Sequence, residues 1–221
     1  MSKAKSTNMQ IRKFTFNPFQ ENTYVLSDDK KNAVIVDPGC YEREEELELQ
    51  SYIEDNNLNV IALLNTHAHV DHVLGNQFVL KNYKVPYYLH QADVPILAAV
   101  DNYAAVYGMK NYKVSPEPTM LLKGGETLTF GDMEMKVLHT PGHCPGHVVF
   151  YLEKEKLVVN GDVLFKGSFG RTDLPGGSME ILKKTIFDTM FKLPDDTKVL
   201  SGHGDDTTIG VEKRTNYIHN F

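Results

Sequence analysis

The sequence predicts an α/β fold in which two β-sheets pack together with helices on the outside. Three observations point to it. Short apolar, strand-like runs alternate with helical stretches along all 221 residues. The run Val60-Ile-Ala-Leu-Leu64 is continuously apolar, as in a strand covered on both faces. Strand-rich segments occur in both halves of the chain with helices between them, which divides the strands between two sheets. Composition alone does not separate this from another α/β arrangement.

The elements follow in order. Residues 11–16 and 22–27 read as two strands, with the turn pair Asn17-Pro18 between them. Ala33-Val-Ile-Val36 is a buried strand ending in Asp37-Pro38-Gly39. An acidic helix over roughly 42–56 has Leu47, Leu49, Tyr52 and Ile53 as its apolar positions. After the strand at 60–64 come a helix near 73–82, a strand at 86–90 and a helix near 91–106. The stretch Gly108 to Pro118 mixes Lys, Pro and Gly and reads as a loop; the wider 101–118 segment, with Tyr103, Tyr107 and Met109, is core or surface first and a substrate lid second. The second half supplies strands at 127–130, 133–139, 147–152 and 156–160, a helix near 178–191, the strand Val199-Leu200 and a final helix over 208–217.

This length suits one domain, residues 1–221, with a core large enough not to need metal as a staple. A net charge of −6 and the lack of any Lys/Arg run give no electrostatic case for a nucleic-acid partner, so a small-molecule substrate is expected. The two cysteines make no disulfide framework. The polar opening Met-Ser-Lys-Ala-Lys-Ser-Thr-Asn does not resemble a signal peptide, and no run approaches the roughly 20 apolar residues of a membrane span. The expected location is the cytoplasm, with no membrane partner.

Four polar clusters share one placement, each just after an apolar strand-like run. They are Thr66-His67-Ala-His69-Val-Asp71-His72, Thr140-Pro-Gly-His143, Gly161-Asp162 and Ser201-Gly-His203. Strand ends are where loops bring distant residues together on a rigid scaffold. In an extended segment residues two apart point the same way, so His67 and His69 can share a metal. Asp71 and His72 lie where the chain turns into a helix and can face a neighbouring metal. A carboxylate such as Asp162 can bridge two cations, and these donors suit zinc or iron.

These residues resemble the metallo-β-lactamase superfamily, in the branch that contains glyoxalase II (hydroxyacylglutathione hydrolase). Asp37-Pro-Gly39, Thr140-Pro-Gly-His-Cys-Pro-Gly-His147 and Gly161-Asp-Val-Leu-Phe165 match motifs of that branch. The resemblance implies a four-layer αββα sandwich and two divalent metal ions, zinc first, with iron or manganese also suited. It places His67, His69 and His143 on the first metal, Asp71, His72 and His203 on the second, and Asp162 between them. The implied activity is hydrolysis of a thioester such as S-lactoylglutathione by a hydroxide held between the metals, with Asp71 orienting it. Arg171 stands where glyoxalase II has a glutathione-contacting lysine; Arg171 and Lys166 are the candidates for holding a substrate carboxylate. The resemblance stops short of glyoxalase II's C-terminal helical domain, because only 18 residues follow His203.

Other residues have blander readings. His147 and Asp37 are expected to support ligands through hydrogen bonds. His90, His139 and His219 are structural or exposed, and Cys144 is a buried inert thiol. Two other functions compete with the thioesterase. One is a mononuclear iron persulfide dioxygenase, which shares a Gly-Arg-Thr-Asp stretch like Gly170–Asp173 and would use only His67, His143 and Asp162. The other is a non-catalytic metal-binding module, disfavoured because structural zinc sites are usually four-coordinate and often cysteine-rich.

Overall fold

The computed structural model describes residues 9–221. The polar opening stretch, and with it the expectation that no signal peptide starts the chain, lies outside the described residues.

The chain begins with strands β1 (Gln10–Phe16), β2 (Glu21–Ser27) and β3 (Asn32–Val36), paired antiparallel in succession. Helix α1 (Arg43–Asp55) crosses back to β4 (Asn59–Leu64), which is parallel to β3. Two short helices, α2 (Val70–Val73) and α3 (Asn76–Tyr83), lead to β5 (Tyr87–His90). Then α4 (Val94–Tyr103) leads to β6 (Met120–Leu122), so β3 to β6 run parallel. These six strands form the first sheet in sequence order.

The second sheet starts with β7 (Thr127–Phe130), β8 (Met133–His139), β9 (Val148–Leu152) and β10 (Leu157–Gly161), all antiparallel. A small hairpin follows, β11 (Leu164–Phe165) with β12 (Ser168–Phe169). After α5 (Met179–Asp188), β13 (Lys198–Ser201) adds parallel to β10, and β14 (Thr207–Thr208) closes the far edge before α6 (Ile209–Thr215). The order across this sheet is β14-β13-β10-β9-β8-β7.

Three apolar layers hold the elements together. Tyr24, Leu26, Val36 and Leu64 from the first sheet meet Met135, Val137, Phe150 and Val159 from the second. The opposite face of the first sheet is covered by α1, α3 and α4 through Leu49, Ile53, Val79 and Val100. Leu182 and Ile186 of α5 and Ile209 of α6 cover the outer face of the second sheet. The arrangement is a four-layer αββα sandwich, as the sequence predicts. Strands buried on both faces explain why β2, β9 and β10 are buried along their whole length.

Some details differ from the sequence reading. Leu47 is exposed, because Leu49 and Ile53, four residues apart, make the inward stripe of α1. The helix expected near 73–82 is two helices, α2 and α3, separated by Leu74-Gly75. A side chain at Gly75 would run into Cys40 Sγ and the Pro38 carbonyl, so that crossing needs glycine. Strands β6, β11, β12 and β14, only two or three residues each, carry no periodic signal of their own. Met109 belongs to the first helix-covered core, whereas Tyr103 and Tyr107 stand beside the candidate site. Among the described residues no helix is long and apolar enough to cross a membrane.

Candidate metal centre

The C-terminal ends of β3, β4, β5, β8, β10 and β13 meet at one edge of the sandwich, and the predicted polar residues follow these ends. A backbone bond from Val148 N to the Thr66 carbonyl (2.8 Å) ties the two sheets together there. His67, His69 and His143 converge so that their donor nitrogens can hold one metal ion, and Asp71, His72 and His203 form a second such group. Asp162 lies between them. Its Oδ1 is 3.4 Å from His72 Nε2, and its Oδ2 is 3.6 Å from His143 Nε2 and 3.5 Å from His203 Nε2.

Hydrogen bonds on the far side of the rings set which nitrogens face inward. His143 Nδ1 donates to the Arg171 carbonyl at 2.7 Å, leaving its Nε2 lone pair 2.8 Å from His69 Nδ1 and 3.3 Å from His67 Nε2. His203 Nδ1 donates to the Phe19 carbonyl at 3.1 Å, which turns Nε2 to within 3.1 Å of Asp71 Oδ2. His72 Nδ1 donates to Asp37 Oδ2 at 3.1 Å. Its Nε2 and Asp162 Oδ1 are then buried without a hydrogen-bond partner. Bare lone pairs and carboxylate oxygens gathered in a dry pocket cost free energy unless a cation sits among them. Four ligands at about 2.1 Å around a tetrahedral ion lie roughly 3.4 Å apart, which matches these separations. Metal ions therefore fit the donor set.

Charge states agree. Burial first, then nearby His72 and His69, pushes the His67 pKa well down. His69 falls to about 3 through burial and the adjacent His143. Burial opposes the charged forms of Asp71 and Asp162, yet the neighbouring imidazoles hold both carboxyls below the usual range. Burial likewise opposes charge on His72 and His203. For His72 the carboxylates of Asp162 and Asp71 outweigh it, and for His203 the Asp71 hydrogen bond and Asp162 do so, raising both pKa values.

Imidazole must be neutral to bind a cation, so protons compete with metal. As pH falls, His72 and His203, whose pKa values are raised, protonate first, while His67 and His69, whose values are lowered, stay neutral. Dialysis against excess zinc at decreasing pH is therefore expected to take the chain from two bound ions to one before none. Elemental analysis checks this, and loss of both ions in a single step contradicts it.

Asp37 and His147 both lie against the donor groups. Asp37 accepts from Thr66 N (2.7 Å), Thr66 Oγ1 (2.6 Å), Asn65 Nδ2 (3.1 Å) and His72. With its oxygens occupied, it supports the ligand loop rather than offering another metal position, although it lies close to His67 and His72. It is held at φ +49°, a left-handed conformation that Asp tolerates better than most residues. His147 Nε2 accepts from Asp162 N at 3.1 Å, and its ring stacks on His67 with centroids 4.8 Å apart. Gly202 is needed for close approach, since a Cβ there would run into Asp162 Oδ1 and His72 Cε1.

The two candidate substrate cations differ in placement. Arg171 stands at the rim of a cavity of about 850 Å³ that opens over both donor groups, with Nε and Nη2 each 2.7 Å from an Asp173 oxygen. Lys166 does not line that cavity, and its Nζ pairs with Asp205 at 2.9 Å. His90 and His139 stack on each other, and His219 stacks on Phe191. The Cys144 thiol is buried, which with nearby Asp93 pushes its pKa up, and it donates to Asp93.

Asp93 itself escaped the sequence reading. Fully buried, it accepts from Ala68 N at 2.9 Å and from Gly146 N at 2.6 Å, as well as from the Cys144 thiol. One carboxyl group thus clamps the loop carrying His67 and His69 to the loop carrying His143. Its position three residues past β5 is the same strand-end signal that marks the other clusters. Glu21 was also missed. It is buried behind His72, with Thr23 Oγ1 donating to its Oε2 at 2.9 Å, and burial raises its pKa. No local sequence pattern announces that role.

Comparison with known proteins shows the family to which this fold belongs. The model of the metallo-beta-lactamase superfamily matches residues 16–203. Hydroxyacylglutathione hydrolase GloC of Haemophilus influenzae is 36% identical over 209 residues, covering 94% of this chain and 97% of its own. The crystal structure of BLEG-1, a B3 metallo-beta-lactamase, superposes with a TM-score of 0.87 at 37% identity, covering 94% of this chain and 98% of its own. TTHA1623, solved in a di-iron-bound form, gives a TM-score of 0.83 at 37% identity, covering 93% and 98%.

Proposed function

The chain belongs to the metallo-beta-lactamase superfamily, and on that premise we propose that it is a cytoplasmic, binuclear metallohydrolase that cleaves acyl thioesters, with S-lactoylglutathione among the candidates. The observation that carries the reading is the pair of donor groups, joined by Asp162, facing one cavity. The relative named as a hydroxyacylglutathione hydrolase, similar along nearly its whole length, supports the choice of bond.

In this reading the whole chain acts as one domain. His67, His69 and His143 would hold one divalent cation, and Asp71, His72 and His203 the other, with Asp162 shared. Zinc is the first expectation, and iron or manganese suits the same donors. When bound, such cations supply Lewis acidity, which acidifies water and polarises an acyl carbonyl. Asp71 would orient the attacking water as well as hold the cation, its Oδ2 lying 3.1 Å from His203 Nε2. Oxygen adds to the thioester carbon, the C–S bond breaks, and the thiol leaves with the proton, so no oxidant is needed. The hydrogen bonds on His143, His203 and His72 keep the rings aimed while charge develops.

The test is elemental analysis of purified protein together with turnover of a small thioester panel, S-lactoylglutathione and a β-lactam, with a chelator control. The expected result is two metal ions per chain and chelator-sensitive thioester hydrolysis. Turnover of the β-lactam alone overturns the reading. So does one iron per chain with oxygen uptake on glutathione persulfide.

A further inference from the structure

The cavity over the donor groups is walled by carbon on both sides. One wall comes from α4 and the turn after it, with Ile96, Ala99, Tyr103, Val106 and Tyr107. The opposite wall comes from the β11–β12 hairpin and the loop beyond it, with Phe165, Phe169 and Leu174. Tyr107 also meets Phe19 edge-on at 6.2 Å, which continues the apolar surface around the mouth. Apart from the donor residues, the polar groups on its lining are Ser168, Arg171 and the hydroxyls of Tyr103 and Tyr107.

Charge at the rim is balanced. The Arg171 fork, the part of the side chain best shaped for a carboxylate, is already filled by Asp173. A substrate carboxylate would have to displace Asp173 and exchange one such contact for another. Lys166 is paired with Asp205, and Lys113, on the segment after α4, with Glu46. Glutathione brings two carboxylates, and among the described residues no Lys or Arg side chain lining this cavity lacks an acidic partner to meet them.

We propose that the substrate is a thioester with a sizeable apolar acyl group on a thiol that carries no carboxylate, and that Val106, Tyr107, Phe165 and Phe169 select it. This rests on the thioesterase reading for the bond cleaved, but not for the shape and charge of the ligand. Apolar walls reward each added methylene that leaves water, whereas a polar hydroxyacyl group gains nothing from them.

Two measurements on the metal-loaded protein test the proposal separately from the chemistry. In turnover, hexanoyl-N-acetylcysteamine is expected to exceed acetyl-N-acetylcysteamine in kcat/KM by roughly fourfold per added methylene, and to exceed S-lactoylglutathione. In binding, the unreactive thioether S-hexyl-N-acetylcysteamine is expected to bind more tightly than S-methylglutathione by calorimetry. Val106 is 84% exposed, so the fold tolerates its replacement; Val106→Asp is expected to lower the hexanoyl-to-acetyl ratio about tenfold by placing charge in the wall. If the thioether binds and Val106→Asp weakens it while no thioester turns over, the ligand class stands and the thioesterase reading falls. The proposal is overturned if S-lactoylglutathione outranks the hexanoyl thioester, or if Arg171→Gln raises its KM more than tenfold.

Discussion

Asp162→Asn is expected to lower kcat/KM on the best thioester by about a thousandfold, because the Lewis-acid contribution of a metal site amounts to several kcal/mol and each 1.36 kcal/mol is a factor of ten. The carboxylate faces both donor sets, at 3.4 Å from His72 and 3.5–3.6 Å from His203 and His143. An amide keeps the size of the side chain but removes the negative charge that two cations would share. Metal content should fall below two per chain while circular dichroism stays that of the parent, since the bond from Asp162 N to His147 uses the backbone. Full activity with two ions bound would show that Asp162 is not the shared ligand.

Asp93→Ala is expected to harm both the fold and the metal centre. The substitution leaves the Ala68 and Gly146 amides without an acceptor in a buried position. Each stranded donor costs about 1–3 kcal/mol, so a loss near 3 kcal/mol is expected. For a chain of this size that lowers Tm by about 6–12 °C. Metal affinity should drop about 10- to 100-fold, as when other groups that orient ligands are removed. Asp93→Asn keeps one acceptor oxygen and should recover part of both losses. Scanning calorimetry and metal titration on the two variants check this. A parent-like metal affinity in Asp93→Ala would mean that the two ligand loops hold themselves in place.

The fold was largely readable because buried strands and one-sided helices impose different periods on apolar residues. The run at 60–64 and the strands around 22–27 and 133–139 became β4, β2 and β8 within a residue or so. The reading failed where periodicity is short or ambiguous. Leu47 is one of the apolar positions expected of this helix, but the α1 stripe passes through Leu49 and Ile53. A break between α2 and α3 depends on contacts between Gly75 and residues near Pro38, far along the chain.

The candidate site was readable to a similar depth. His67, His69, Asp71 and His72 announce themselves by spacing, and His143, Asp162 and His203 by following strand ends. Asp93 shares that placement but lacks a histidine-rich neighbourhood. Its importance arises from donors 25 and 53 residues away in sequence. Arg171 illustrates the reverse. Its side chain drew attention as a cation, whereas its backbone carbonyl is what aims His143.

The sequence by itself determined the layered α/β fold, the donor types and the strand ends on which they stand, because these follow from local periodicity and side-chain chemistry. Only the tertiary structure decided which lone pairs face one another, that Asp93 and Glu21 stand behind the ligands, and that Arg171 and Lys166 already have partners. Those properties depend on distances between segments that packing brings together, and residue order does not carry such distances.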